Sequence, residues 1–226
     1  RAAVHERELF ERAAYPALIG GRLAGLRIAL VQLGGDADRM WELTRDALEG
    51  SGAKLVSVSS LRRPLRFDEL AAAAKGTRYE RLADDAELVH PFGARLGIQL
   101  TEGGELLNAV RRELFVQSSG TLEGADGVVV VRSAVEVDDR DAEVAETFED
   151  GLVRGLHARG LPVVGIETTD ADPSQIDWFK AHELSSVDDV DDPIGRAALV
   201  FALAGQRGAF GVKSTADGGR LPPILQ

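Results

Sequence analysis

Carboxylates are the side chains in this 226-residue chain that are most regularly placed for chemistry. Asp36 and Asp38 follow the apolar run LRIALVQL, and Asp138, Asp139 and Asp141 follow GVVVV. Asp170 and Asp172 follow LPVVGI, and Asp188, Asp189, Asp191 and Asp192 follow a shorter run at 183–187. If each run is a strand of one parallel sheet, these loops share its carboxyl edge, the usual ligand-binding edge of α/β folds. Oxygen donors gathered there suit a hard cation such as Mg²⁺ or Ca²⁺. Asp138, Asp139, Asp141, Asp188 and Asp189 are therefore candidate metal ligands. No EF-hand spacing orders them, and capping of successive helix N-termini accounts for the same pattern. A docking face for a basic partner is a third reading. The segment 126–192 holds 18 acidic and 5 basic residues, so it more than accounts for the net charge of -11 and the rest of the chain is slightly basic. That balance argues against nucleic acid as a partner, because phosphates require a basic surface.

Softer chemistry has little to work with. The chain has no Cys, one Met (Met40) and four His, at His5, His90, His157 and His182, none in an HxH, HxxxH or MxxM pattern. Cu(I) prefers thiolate and thioether and Cu(II) imidazole, so the composition is that of a poor copper chelator. No cofactor is expected. The loop LGGDADR after the first apolar run lacks both the GxGxxG and GxxxxGK[ST] patterns, and its carboxylates would repel a phosphate. Ser118-Ser119 and Ser185-Ser186 stand in no G-x-S-x-G elbow. Hydrolase chemistry is not expected, and the chain is read as a non-enzyme with no catalytic residues. Trp178 and Phe179, adjacent aromatics on a helix starting near Asp172-Pro173, are either an interaction element or a packed anchor.

The elements that would position these groups are legible in the hydrophobic pattern. Apolar runs at 26–33, 54–58, 127–131, 161–166 and 183–187 read as strands, with helices at 40–48, 140–159 and 193–204 between or after them. The stretch 64–122 reads as helices at 67–74, 79–89, 91–98 and 102–115, broken at Gly76, Pro91 and Gly103-Gly104. The expected fold is α/β: a three-layer sandwich with a mainly parallel sheet of about five strands and a helical insertion between the second and third. Residues 17–226 form a single α/β domain on this reading, and residues 1–16 are the end of an N-terminal coiled-coil helix. No apolar stretch approaches the roughly 18 to 20 residues that span a bilayer.

The C-terminal block GRAALVFALAGQRGAFGVKSTADGGRLPP, from Gly195 to Pro223, passes from an apolar helix into a glycine-spaced turn and a proline-bearing tail. It resembles the C-terminal signature of the MctB family, actinobacterial envelope proteins of the mycobacterial copper transport protein B type. The turn GQRGAFGVK matches the family's GxxGxYGVK-like turn with Phe210 at the aromatic position, and SSVDDVDDPIGRAALVFAL matches the segment before it. Looser similarity extends over roughly residues 10 to 226. The resemblance implies an extracytoplasmic cell-envelope protein in copper transport, held at the membrane by an N-terminal anchor and self-associating through a coiled coil. It also admits an alternative, a scaffold that regulates cell separation and peptidoglycan remodelling with an envelope protein partner and no copper binding. The role of an outer-membrane channel is not expected of this region, because its short continuous apolar runs are those of a buried parallel sheet rather than of a membrane barrel.

Overall fold

A computed structural model of the chain describes residues 14–34, 37–133 and 139–223. The apolar run RIALVQL forms β1 (Arg27–Leu33), with its odd and even residues buried on opposite faces. A strand buried on both sides cannot alternate polar with apolar, which is why the run is continuous. After α1 (Ala37–Leu48), β2 (Lys54–Leu61) lies parallel to β1. A helical insertion follows: α2 (Phe67–Ala73), two 3₁₀ turns (Arg78–Arg81 and Ala86–Leu88), α3 (Val89–Glu102) and α4 (Glu105–Leu114). The chain then returns antiparallel to β2 as β3 (Phe115–Gly120).

It next crosses to the other side of β1. Strand β4 (Gly127–Arg132) pairs with β1 in the register Ile28 to Gly127 through Leu33 to Arg132. Helix α5 (Asp139–His157), β5 (Val163–Ile166), α6 (Ile176–Ala181), β6 (Ser185–Val187), α7 (Pro193–Leu203) and β7 (Ala209–Phe210) step outward from there. The seven-stranded sheet has the order β3-β2-β1-β4-β5-β6-β7 and is parallel except for β3. Its direction of growth reverses between β1 and β4, the topological switch point.

Helices cover both faces. One hydrophobic cluster joins Ile28, Leu30, Val129 and Val131 to α1, α7 and the helical residues 14–19, where the hydroxyl of the half-buried Tyr15 donates to Ala47 O at 3.1 Å. The other joins Val31, Leu33, Val128 and Val130 to the insertion helices, α5 and α6. On that face α3 and α5 meet backbone to backbone through Gly93 and Gly97 on one and Gly151 and Gly155 on the other. A Cβ on any of the four would come closer than 3.0 Å to a carbonyl oxygen of the opposite helix. Small residues at this spacing let helix axes approach, and here they fix where α5 presents its side chains.

The α/β class and the mainly parallel sheet agree with the sequence reading, but the sheet has seven strands rather than about five. Strand β3 carries FVQSSG with only Phe115 buried, so it lacks an apolar run, and the two residues of β7 lie inside the glycine-spaced turn. The insertion accordingly lies between β2 and an additional strand. The expected break at Pro91 is also absent: Pro91 sits in the first turn of α3, where no intrahelical partner is needed for its nitrogen. The coiled-coil reading of residues 1–16 falls mostly outside the described residues. Among the described residues no helix is long and apolar enough to cross a membrane.

Candidate functional site

The carboxyl edge of the sheet divides into two parts. At its outer end, around β5, β6 and β7, carboxylates and their partners knit the C-terminal segment onto the fold. Asp188 is fully buried, and its carboxylate accepts the backbone N–H of Val212 at 2.7 Å and of Lys213 at 2.9 Å. Gly211 lies directly against that carboxylate with φ 139°, so a side chain there would be both clashing and strained. Lys213 Nζ reaches the buried Glu167 at 2.7 Å and Ala171 O at 2.7 Å. Arg220 bridges the fully buried Asp189 at 3.0 Å and Asp192 at 3.1 Å. Asp192 in turn caps α7 by accepting Ile194 N–H at 2.8 Å, ahead of Pro193 at the first helical position. Burial pushes the Asp189 carboxyl up, against the hydrogen bond from Arg220.

Of the candidate cation ligands, Asp188 and Asp189 thus turn inward to amides and a guanidinium. Asp138 and the side chains of Asp139 and Asp141 lie outside the described residues. Asp191 accepts Thr169 N–H and Oγ, and Asp170 meets Thr168 Oγ at 2.6 Å and Arg39 at 3.2 Å. The hydrogen bonds from Thr168 and Arg39 hold the Asp170 carboxyl below its ordinary range. Of the readings the sequence left open for these acidic loops, capping and ion pairing is the one that Asp170, Asp188, Asp189, Asp191 and Asp192 take. No group of three or more His, Asp or Glu among the described residues is placed to hold a metal ion.

The soft donors are similarly committed. Met40 is buried in the cluster beneath α1. Two histidines far apart in sequence meet one carboxylate, His90 Nε2 lying 2.9 Å from Asp150 Oδ2 and His182 Nε2 3.1 Å from Asp150 Oδ1. The other nitrogen of His182 contacts Trp178 O at 2.7 Å, and the His182 ring stacks on the Trp178 indole at 3.8 Å. His157 lies near the end of α5, and burial lowers its pKa below 6.5. His5 lies outside the described residues. Phe179 is fully buried against Gly165, and Trp178 is half-buried with Arg132 over its ring at 4.6 Å. Phe179 is thus a core residue, while Trp178 keeps part of its ring accessible. Of the serine pairs, Ser118 contacts Ser59 and Arg111, and Ser185 contacts Gln206 O and Gly208 N–H, while the buried Ser186 hydroxyl has no partner among the described residues.

The inner part of the edge, at the switch point, is different. A cavity of about 440 Å³ opens there between the end of β2, the 3₁₀ turns and α5. Its walls are largely apolar, with Leu61, Leu65, Phe67, Leu82, Val89 and Val144 contributing. Two arginines converge at its base on one carboxylate. Arg63, two residues beyond β2, and Arg132, the last residue of β4, both bond to Glu149 of α5. The side chains of Arg63, Arg132 and Glu149 are 14%, 16% and 3% exposed. Arg132 is fully engaged: Nε donates to Glu149 at 2.8 Å, a second nitrogen donates to Gln175 Oε1, and a third lies 3.6 Å from the exposed Glu146. Among the described residues Arg63 bonds to Glu149 alone, which leaves most of its five N–H donors without an acceptor there. Gly34, at the end of β1, makes room for it: a Cβ there would lie 3.3 Å from Arg63 Nε.

Among the described residues, two guanidiniums against one buried carboxylate leave a surplus positive charge inside the fold, which only the exposed Glu146 faces from outside. Burial, and for Arg63 the neighbouring Arg132, lower both guanidinium pKa values, that of Arg63 to about 10. A mostly apolar cavity with a few convergent polar groups at a switch point is the usual form of a small-molecule site. Sequence reasoning passed over it because its three charged residues are spread over positions 63, 132 and 149. One signal was present: Glu149 stands three residues before Leu152 and four before Val153, on the apolar face of an otherwise acidic helix.

Comparison with protein families matches residues 1–220 to the profile described as copper transport outer membrane protein, MctB. Comparison with curated proteins finds no match to this chain. A profile spanning nearly the whole chain places it, and the chain belongs to the MctB family. The signature block that carried the sequence resemblance is thus the segment that the buried carboxylates Asp188, Asp189 and Glu167 fasten to the sheet.

Proposed function

We propose, on the premise of MctB membership, that this chain is the extracytoplasmic part of a membrane-anchored envelope protein that serves copper transport by recognition, without catalysis and without chelating copper itself. An apolar anchor and a coiled coil on the N-terminal side would hold it at the membrane and pair copies of it. The observation that carries the reading is how the fold uses its donors. Met40 packs in the core, His90 and His182 face Asp150, and the inward carboxylates serve Arg220, Lys213 and backbone amides. Copper(I) favours thioether and thiolate, and copper(II) imidazole in open geometry, and the described surface presents neither as a set. The cell-separation scaffold gains no specific support from this geometry.

The test is a native-cell replacement carrying Met40→Leu, His90→Ala and His182→Ala together. The expected result is copper tolerance equal to the parent, with the protein in the membrane fraction at parental abundance. Tolerance as low as in a gene deletion, at parental abundance, would show that these donors carry copper and would overturn the reading.

A further inference from the structure

Among the described residues, the surplus charge at the switch point has no further acceptor. Glu149 is shared between two guanidiniums, and Arg132 is otherwise engaged by Gln175, Glu146 and the Trp178 face. Arg63 is mostly buried, carries one hydrogen bond, and borders the cavity. A buried cation with unfilled donors is unfavourable unless an anion completes it. A guanidinium fork matches carboxylate and phosphate oxygens in particular. Above Arg63 the walls are hydrocarbon, from Leu61, Leu65, Phe67, Leu82, Val89 and Val144. The volume of about 440 Å³ lies within the roughly 300–1,000 Å³ of small-molecule sites. Asp84 and Glu146 stand exposed at the rim, where solvent screens them.

We propose that this cavity binds a small amphipathic anion, with a carboxylate or phosphate ester group on Arg63 and an apolar body against the α5 and 3₁₀ walls. The site is independent of copper, so its failure would leave the preceding reading standing, and the reverse holds as well. Arg63 supplies the charge recognition. Glu149 is a positioning residue that fixes the guanidinium. Helix α5 is held in place for this by its glycine contact with α3.

Calorimetric titration of the intact chain with decanoate, decyl phosphate, decanol and acetate reads both halves of the proposal. Decanoate or decyl phosphate, or both, should saturate at one site per chain, and whichever binds tighter identifies the preferred anionic group. Decanol and acetate should bind at least about tenfold more weakly, since each lacks one half of the ligand. Arg63→Gln should weaken anion binding at least about tenfold. Ala145→Phe, which places a ring in the cavity, should abolish it even if Arg63→Gln fails to fold. The proposal is overturned if neither anion binds at millimolar concentration, if decanol binds as tightly as the anions, or if folded Ala145→Phe retains wild-type affinity.

Discussion

Glu149 and Arg63 make opposite contributions to stability if the charge at the switch point is a true surplus. Replacing Glu149 by Gln leaves two mostly buried guanidiniums with, among the described residues, no internal carboxylate and only the exposed Glu146, 3.6 Å from Arg132. Orphaning buried charge in this way costs about 3–5 kcal/mol, a large part of the roughly 5–15 kcal/mol that holds a domain folded. Replacing Arg63 by Gln instead removes the surplus and leaves the Arg132 to Glu149 pair intact at 2.8 Å. That variant should lie within about 1 kcal/mol of wild type, because the lost hydrogen bond is offset by relief of a desolvated charge. The lowered Arg63 pKa has the same sign. The folded state resists the charged form, so the penalty is fully present below about pH 10 and fades as pH rises toward 12.5. Urea unfolding followed by circular dichroism at pH 7 measures both variants. Equal losses for Arg63→Gln and Glu149→Gln would refute the reasoning, because Arg63 would then be a structural partner that Glu149 requires.

Three further outcomes follow from the same packing and ionisation. Gly97→Ala should destabilise by about 3 kcal/mol in urea unfolding, since its Cβ would meet the Leu152 carbonyl and Gly155 Cα, both backbone atoms that cannot swing aside. Lys213→Met should cost about 3 kcal/mol and loosen the C-terminal turn to hydrogen exchange, because Glu167 is buried and loses the cation that pairs with it. His157 is held below its ordinary pKa by burial, with Arg207 acting in the same sense and Glu183 against it. The unfolded chain therefore binds that proton more readily, and stability should fall as pH drops from 6.5 toward the lower folded value. A pH series of melting temperatures for His157→Gln should show a shallower acid-side fall than wild type.

The parts of this fold that were legible in sequence are those where burial imposes a pattern. Strands β1, β4 and β5 are buried on both faces and so read as continuous Val, Ile and Leu. Helix α7 announces itself through Asp192 and Pro193 at its start. Strand β3 had no such signal, because an edge strand with an exposed face needs hydrogen-bonding partners more than apolar side chains. The carboxylates were visible but their partners were not: Asp188 meets amides 24 and 25 residues away, and Asp189 meets Arg220, 31 residues away. Charge in a sequence is counted without its partner, so an inward ion pair and an open acidic rim look alike. The paired glycines Gly93 and Gly97, and Gly151 and Gly155, were readable as two G-x-x-x-G motifs, and they locate the α3 to α5 crossing that aims Glu149. His90 and His182 converge on Asp150 only through the tertiary fold.

The central claim is that this member of a copper-transport family recognises something other than copper with the part described. Calorimetric titration of the intact chain with Cu(I), held reduced, and separately with Cu(II), tests it most directly. The expected result is no stoichiometric binding tighter than micromolar for either ion. Tight binding at one ion per chain that is lost on replacing His90, His182 or Met40 would contradict the account.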